Sequence, residues 1–352
     1  MREALKLTTY SGERARHGGR PLADVLMDLY ARRQVRTSAL FRGLEGFGAA
    51  QRLRSARVLS LSEDLPLVTV AVDLRERLAR VIEEVAAIAP RGLFTVERAR
   101  LLEPNGGASE ADLGGGAKLT VHLGRHERAH GRPAYLAAVE LLHRHGVAGA
   151  TVLLGVDGTL AGERRRGRFL ASNALVPMML LSVGDARAIA RALPELSAML
   201  SGAQLTLERV QVCKRDGLLL AEPSATPAGA HGGSAWWRKL DVYAGEQTRD
   251  GGEPLYNALV RRLRAEGAAG ATVLRGIWGY HGEHRPHGEH PWSVRRRVPV
   301  LVTVIDTPVN SQRWFEIVDS LTMHAGLVTS ELVPALAARE PPSSADSRHP
   351  EP

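Results

Sequence analysis

Lys118-Leu119-Thr120-Val121-His122 is the stretch that decides how this chain is organised, because versions of it stand in three places. It occurs first as Lys6-Leu7-Thr8-Thr9-Tyr10 and last as Lys239-Leu240-Asp241-Val242-Tyr243. Glycines follow each at matching offsets: Gly12, Gly124 and Gly245, then Gly19, Gly131 and Gly252. A proline stands two residues beyond each of the second set (Pro21, Pro133, Pro254). Further on come Gly43, Gly155 and Gly276, and then Gly46, Gly158 and Gly279. Glycine and proline fix the backbone at turns, so their recurrence in register marks one supersecondary unit used three times.

Each unit reads β-α-β-loop-β-α-β. In the first strand of the second copy Leu119, Val121 and Leu123 face one way, while Lys118, Thr120 and His122 face the other. A Gly-Pro turn then opens a helix, for which proline suits the first turn. In the third copy that helix carries Leu255, Leu259 and Leu263 on one face and ends near Gly267, a natural C-cap. Second strands are expected at Ala150 to Leu154 and Ala271 to Arg275, and third strands at Leu67 to Val72, Met178 to Val183 and Val300 to Ile305. Second helices follow (Leu74 to Ile88, Asp185 to Leu200, Ser311 to His324), then fourth strands (Leu93 to Val96, Leu205 to Val210, Leu327 to Val333). This is the split βαβ order of a ferredoxin-like fold. The third strand is apolar on both faces, which helices on one side of a sheet do not explain; sheet packed on sheet, as in a trimer, does.

The expected division is therefore repeat one over 5–103, a linker over 104–116, and repeat two over 117–214. A second linker over 215–237, repeat three over 238–338 and a disordered tail over 339–352 complete it. The linkers are rich in Gly, Ala, Pro and Ser, and the tail reads EPPSSADSRHPEP from Glu340.

Composition narrows the function classes. Hydrophobic residues make up 44% and charged residues 24% of 352, enough to build cores, with aromatics at only 5%. The net charge is +8, yet no Lys/Arg run exceeds three residues (Arg164 to Arg166, Arg295 to Arg297) and no basic stretch is interleaved with aromatics. Nucleic acid is accordingly not expected as a partner. The single cysteine, Cys213, excludes a disulfide framework and reads as a buried small hydrophobe. The absence of an apolar run long enough to span a bilayer, and of a signal-peptide core after Met1, points to no membrane insertion and a cytoplasmic location.

Three strings carry a family resemblance. Ser38-Ala39-Leu40-Phe41-Arg42-Gly43-Leu44-Glu45-Gly46-Phe47-Gly48, Leu59-Ser60-Leu61-Ser62-Glu63-Asp64-Leu65-Pro66 and Gly-Ala-Thr-Val-Leu-Arg-Gly at 270–276 resemble the PII-like family catalogued as domain of unknown function 190. More distantly, Gly46-Phe47-Gly48 is similar to the segment that opens the long T-loop of nitrogen-regulatory PII proteins. The resemblance implies three tandem ferredoxin-like (βαββαβ), PII-like domains, an α+β chain closed into an intramolecular pseudo-trimer. It implies ligand sites in the clefts between repeats and regulation of a protein partner, such as a transporter or enzyme, through the T-loop equivalents. Two departures stand out: the junctions where PII proteins carry a phosphate-cradling loop are short here, as at Ser201-Gly202-Ala203, and Gly158-Thr159-Leu160 lacks the Gly-Phe-Gly pattern.

The T-loop equivalents, residues 44–65, 156–176 and 277–298, share arginine: Arg52, Arg54 and Arg57; Arg164, Arg165, Arg166 and Arg168; Arg285 and Arg295 to Arg297. Guanidinium forks suit phosphate and carboxylate, although solvated loops in an arginine-rich chain explain them equally. Arg42 and Arg275 close the second strands and are expected to face the cleft, with Gly43, Gly46, Phe47 and Gly48 in one copy and Gly276 and Gly279 in another shaping it. The third copy adds His281, His284, His287 and His290, a set able to bind a divalent metal, though its spacing matches no standard zinc motif and incidental loop histidines fit better. No P-loop, G-x-S-x-G, H-E-x-x-H or Cys-His arrangement is present. The expectation is a non-enzymatic regulator that binds a small anionic metabolite, an adenine nucleotide among the options. A divalent-metal protein and a structural adaptor with degenerate sites are the alternatives.

Overall fold

A computed structural model describes residues 1–55, 64–89, 92–103, 106–167, 175–224, 235–282, 284–288 and 298–336. The chain is a mixed α/β protein in which the same plan is built three times. Repeat one has strands Arg2–Gly12, Thr37–Arg42, Pro66–Leu74 and Leu93–Leu101, with helices Leu22–Arg32 and Arg75–Ile88. Repeat two has strands Gly116–Gly124, Gly149–Leu154, Pro177–Asp185 and Gln204–Arg209, with helices Ala134–Arg144 and Ala186–Met199. Repeat three has strands Ala235–Gly245, Ala271–Arg275, Pro299–Asp306 and Leu327–Leu336, with helices Leu255–Ala265 and Pro308–Leu321. In every repeat the fourth strand pairs with the first, the first with the third and the third with the second, all antiparallel.

The recurring glycines and prolines have local causes. Gly18-Gly19, His130-Gly131 and Gly251-Gly252 all have positive φ, the two-residue turn that matches the twist of a hairpin. The following prolines sit at the N-cap rather than inside the first turn, at φ near −52° to −54°, just ahead of Leu22, Ala134 and Leu255. Gly267, at φ 86°, does terminate the third repeat's first helix.

Two expected linkers are more ordered than composition suggested. Within 106–116, Ser109 and Asp112 form a capping box over the short helix Glu110–Leu113, and Leu113 is buried in the core of repeat two. After repeat two, Gln211–Arg215 continues as a further strand that pairs with Leu327–Ser330 of repeat three. The first strand of repeat three begins at Ala235, a little ahead of its expected start. The tail from 339, Pro104, and residues 225–234 of the second linker lie outside the described residues.

The three repeats are joined in a ring of strand pairs. Thr37–Leu40 of repeat one pairs with Asp157–Leu160 of repeat two, Gly149–Val152 of repeat two with Trp278–His281 of repeat three, and Ala271–Val273 of repeat three with Glu45–Phe47 of repeat one. Side-chain-free backbone is needed at these crossings. A Cβ on Gly46 would lie 2.6 Å from the Ala271 carbonyl oxygen, and one on Gly158 or Gly279 would run into the carbonyl of Ser38 or Ala150.

Most of the buried apolar residues divide into three helix-covered cores, one per repeat, and a fourth shared by all three, with two smaller clusters around Trp237 and Leu101. The third strand of repeat one shows how: Leu67 and Ala71 join the helix side, while Val68, Val70 and Val72 join the shared core with Met179, Leu181 and Leu301. That is the sheet-on-sheet packing the doubly apolar strand called for. No helix among the described residues is long and apolar enough to cross a membrane.

Candidate functional site

The polar face of each first strand does not meet solvent. Lys6, Lys118 and Lys239 are 5%, 1% and 4% exposed, and they converge where the three repeats meet. Across each ladder the residue opposite the lysine is a glutamate of the fourth strand: Glu97, Glu208 and Glu331. Each lysine also reaches the glutamate of the next repeat. Lys6 Nζ lies 2.5 Å from Glu208 Oε2, Lys239 Nζ lies 2.9 Å from Glu97 Oε2, and Lys118 pairs with Glu331. Within the repeats Lys118–Glu208 and Lys239–Glu331 are both 3.1 Å, and Lys6 pairs with Glu97. Three ammoniums and three carboxylates thus alternate in a closed ring with no net charge.

Such burial is tolerable because these six charges compensate one another. A further buried carboxylate, Asp241, lies 3.7 Å from Lys239 Nζ and accepts from Thr303 Oγ1 at 2.6 Å. Burial alone would raise Glu97, but Lys239, Lys6 and Lys118 outweigh it and hold its carboxyl well below the usual range. Glu331 is likewise held low by Lys118 and Lys239 against burial, while at Glu208 burial prevails and the carboxyl is raised. Burial opposes the charge on Lys118 and Lys239, yet the surrounding carboxylates raise both well above the ordinary lysine value. Among the described residues these glutamates are the one trio whose possible ligand atoms lie within 4.8 Å of one another. Each glutamate has at least one oxygen held by the lysines, and three ammoniums at the same spot oppose a cation there; Glu208 Oε1 is buried without a hydrogen-bond partner among the described residues.

On one side of this ring Thr8, Tyr10, Asp241 and Tyr243 line the junction, and Thr120 and His122, the next inward residues of repeat two's first strand, are buried. Burial, aided by Lys6, pushes the His122 imidazole down to about 3, so it is neutral at neutral pH. On the other side opens a cavity of about 1320 Å³ whose walls come from all three repeats. Its floor is Glu97, Glu208 and Glu331, and its arginines are Arg75, Arg98, Arg100, Arg209, Arg215 and Arg238. Several of these are engaged at the rim: Arg75 with Glu3 at 3.1 Å and Arg100 with Asp112 at 3.0 Å, while Arg209 Nε donates to the Asp112 carbonyl.

The residues singled out in the sequence lie mostly elsewhere. Gly43, Gly46 and Phe47 come together with the second strand of repeat three, where Phe47 is buried in that repeat's core. Gly276 and Gly279 lie against repeat two, and Gly48 has open space where a side chain would be. Arg42 pairs with Glu13 at 2.9 Å and Arg275 with Glu246 at 2.7 Å, each tying the end of a second strand to the turn after a first strand. At the matching places repeat two has Arg125 and Leu154, so both halves of the pair are absent there. Arg52 is exposed, and Arg54 pairs with Asp64 at 2.9 Å.

The arginine cluster of repeat two is not an open loop. Asp157–Leu160 and Glu163–Arg166 form a hairpin in which Arg164 pairs with Asp157 at 2.6 Å and with Asp28 of repeat one, and Arg165 with Glu163 at 2.6 Å. Arg57, Arg168, His290 and Arg295 to Arg297 lie outside the described residues. Of the remaining histidines, His281 is 7% exposed and burial pushes its imidazole down to about 4. His284 is exposed, with its ring 5.1 Å from that of His281, and His287 Nδ1 lies 2.8 Å from the Arg285 carbonyl oxygen. Cys213 is buried, and its thiol is pushed up to about 12 by that burial.

Sequence reasoning missed the glutamate ring and Arg238. The lysines served only as markers of the repeat, although one acidic residue at the same place in each fourth strand was the available sign of their partners.

The folded chain is thus a three-repeat α/β protein with a polar junction and an open cavity at its centre. The family described as Uncharacterized ACR, domain of unknown function 190, matches at residues 4–101, 116–212 and 237–335. The chain belongs to this family, three times over. A relative in Aquifex aeolicus (strain VF5), called UPF0166 protein, is 33% identical over 93 residues, which are 26% of this chain and 86% of that protein. That relative therefore corresponds in length to one repeat. Among solved structures, an aspartate kinase from Synechocystis aligns over 94% of this chain and 43% of its own, at 13% identity and a TM-score of 0.25. This chain spans less than half of that kinase. An unknown protein from Galdieria sulphuraria aligns over 62% of this chain and 98% of its own, at 11% identity and a TM-score of 0.17. Scores this low carry no argument about fold or activity.

Proposed function

We propose that the chain is a non-enzymatic, PII-like regulatory protein: three ferredoxin-like repeats closed into a single-chain pseudo-trimer that binds a small anionic metabolite between repeats. The observation that carries the reading is the cavity of about 1320 Å³, walled by all three repeats and rich in arginine. A cavity of that size accommodates a ligand as large as a nucleotide. The strand order within each repeat and the ring of pairings between repeats support the pseudo-trimer, as does a one-repeat relative. In this reading the segments after the second strands contact a protein partner, a transporter or an enzyme, and ligand binding changes how they are presented.

Calorimetric titration of the full chain with ATP, ADP, AMP and cyclic nucleotides tests the ligand class; saturable heat is expected for at least one. Absence of heat for all of them removes the nucleotide version. Mass measurement in solution tests the architecture: one chain per particle is expected, and a trimer of chains contradicts it. The divalent-metal alternative has less support, since among the described residues no three histidines come within ligating distance of one another. Equal metal content in the chain and in a His284→Ala/His287→Ala variant would eliminate it.

A further inference from the structure

Repeat three departs from its sisters at three neighbouring positions at once. Just before the first-strand lysine, repeats one and two have Leu5 and Ala117, and repeat three has Arg238. In the second helix the matching residues are Leu78 and Ile189 against Ser311, as the alignment of Leu78-Ala79-Arg80, Ile189-Ala190-Arg191 and Ser311-Gln312-Arg313 shows. Just before the fourth-strand glutamate they are Val96 and Leu207 against Ser330. In repeats one and two each trio belongs to, or packs against, the helix-side core. In repeat three the same place is a polar socket.

The socket holds one cation and no anion. Arg238 is 4% exposed; its Nε donates to Ser311 Oγ at 3.0 Å, its Nη1 to Ser330 Oγ at 2.7 Å and its Nη2 to the Ser224 carbonyl. All three acceptors are neutral, and no ion pair among the described residues includes it, in contrast to every lysine of the central ring. A buried charge without a counter-ion is expensive. A guanidinium has five N–H donors, so three bonds leave one free donor on each terminal nitrogen, the pair that can meet two oxygens of an oxyanion. Arg238 lines the large cavity, with the half-buried Trp236 beside it.

We propose that Arg238 is the anchor for the anionic group of the ligand, an oxyanion of the phosphate or carboxylate type, with one such anchor per chain. This rests on reading the cavity as a ligand site. Ser311 and Ser330 hold the fork in place, and Trp236 reports occupancy.

The test titrates the full chain with orthophosphate, pyrophosphate and citrate, read by calorimetry and tryptophan fluorescence, alongside Arg238→Leu/Ser311→Leu/Ser330→Val. That variant installs the apolar trio of repeat one and so has a precedent for packing. Saturable binding of a probe by the unaltered chain is expected, weakened at least about tenfold in the variant, the loss due to charged hydrogen bonds. Preference between the phosphates and citrate assigns the oxyanion. A probe that binds both proteins equally overturns the anchor while leaving the cavity as a ligand site. Failure of all three probes to bind the unaltered chain overturns the anchor, and nucleotide titration then decides the cavity reading separately. Should the triple variant not fold, Arg238→Lys, which keeps the charge and loses the fork, is judged by the same criterion.

Discussion

Replacing Lys118 by methionine is the sharpest perturbation of the central ring. The Lys118 side chain is 2% exposed and has carboxylates on three sides: Glu331 in direct contact, Glu208 at 3.1 Å and Glu97 at 3.8 Å. Methionine fills similar volume, so the change is chiefly electrostatic: three buried carboxylates are left with two ammoniums. Removing one partner of a buried pair costs about 3–5 kcal/mol, because the other is left charged in a poor solvent for charge. The Glu208 carboxyl, already raised by burial despite Lys118 and Lys6, is the one expected to take up a proton in response. Lys118→Met/Glu208→Gln restores neutrality and should recover at least half of the loss, since matched removal of a buried pair is often close to neutral. Arg132→Ala is the control: its pair with Glu140 is well made at 2.7 Å, but both side chains are about half exposed and screened by solvent, so little stability should be lost. Urea unfolding followed by tryptophan fluorescence and far-UV circular dichroism measures all three variants at pH 7. The reasoning is refuted if Lys118→Met costs no more than the Arg132 control, or if the double variant is less stable than the single.

Other consequences are more local. The folded His122 imidazole, at about 3, stays neutral while its unfolded counterpart takes a proton below its ordinary 6.5. Stability should therefore fall as pH drops from 6.5 towards 3, by about 1.4 kcal/mol per unit from this group, and His122→Gln should flatten that slope in acid-unfolding curves; an unchanged slope counts against the assignment. Gly158→Ala and Gly279→Ala push a Cβ into the partner repeat's backbone and should each cost about 1–3 kcal/mol in urea unfolding; costs near zero would mean the inter-repeat pairings are not as drawn. Leu301→Ala opens a hole in the core shared by the three repeats and should cost about 2–5 kcal/mol, measurable the same way. Native Cys213, buried and with its thiol pushed up to about 12, should react with a thiol reagent only after unfolding; stoichiometric labelling of folded protein would contradict its burial.

The parts of the fold governed by short-range rules were legible in the sequence. Alternation in Leu119, Val121 and Leu123, the turn glycines before Pro21, Pro133 and Pro254, and the apolar stripe of Leu255, Leu259 and Leu263 each depend on neighbours within a few residues. The doubly apolar third strands even announced the second packing surface, because no single layer of helices can cover both faces. The opposite faces of the first strands were not readable in the same way. Lys118, Thr120 and His122 look like a solvent face, and only the meeting of three such faces turns them inward against Glu97, Glu208 and Glu331. Polar patterning records which side differs from the helix-covered core, not whether that side is wet. For the same reason Gly46, Gly158 and Gly279 were legible as special but not as what they are: their constraint is a carbonyl of another repeat. Arg238 was invisible as a candidate because its meaning lies in the absence of a carboxylate, which composition cannot display.

Carrying the three repeats on one chain has a consequence that identical subunits do not share. In a trimer of identical chains any substitution appears three times around the junction, so a change that suits one wall must suit all. Here substitutions can be made once. Repeat two lacks both halves of the pair that joins Glu13 to Arg42 and Glu246 to Arg275, and repeat three carries Arg238, Ser311 and Ser330 where the other two repeats have apolar residues. The lysines and glutamates, by contrast, stand at the same places in all three repeats; each touches two repeats, and the six together carry no net charge. A closed, symmetric junction and an asymmetric cavity above it are therefore complementary: the first fixes the relative positions of the walls, and the second is where they can differ. The stoichiometry follows. Ligand anchored at Arg238 should bind at one per chain, where three equivalent clefts would give three, and calorimetry of any probe that binds distinguishes the two; a measured value of three would place the ligand in the clefts between repeats and away from the axial cavity.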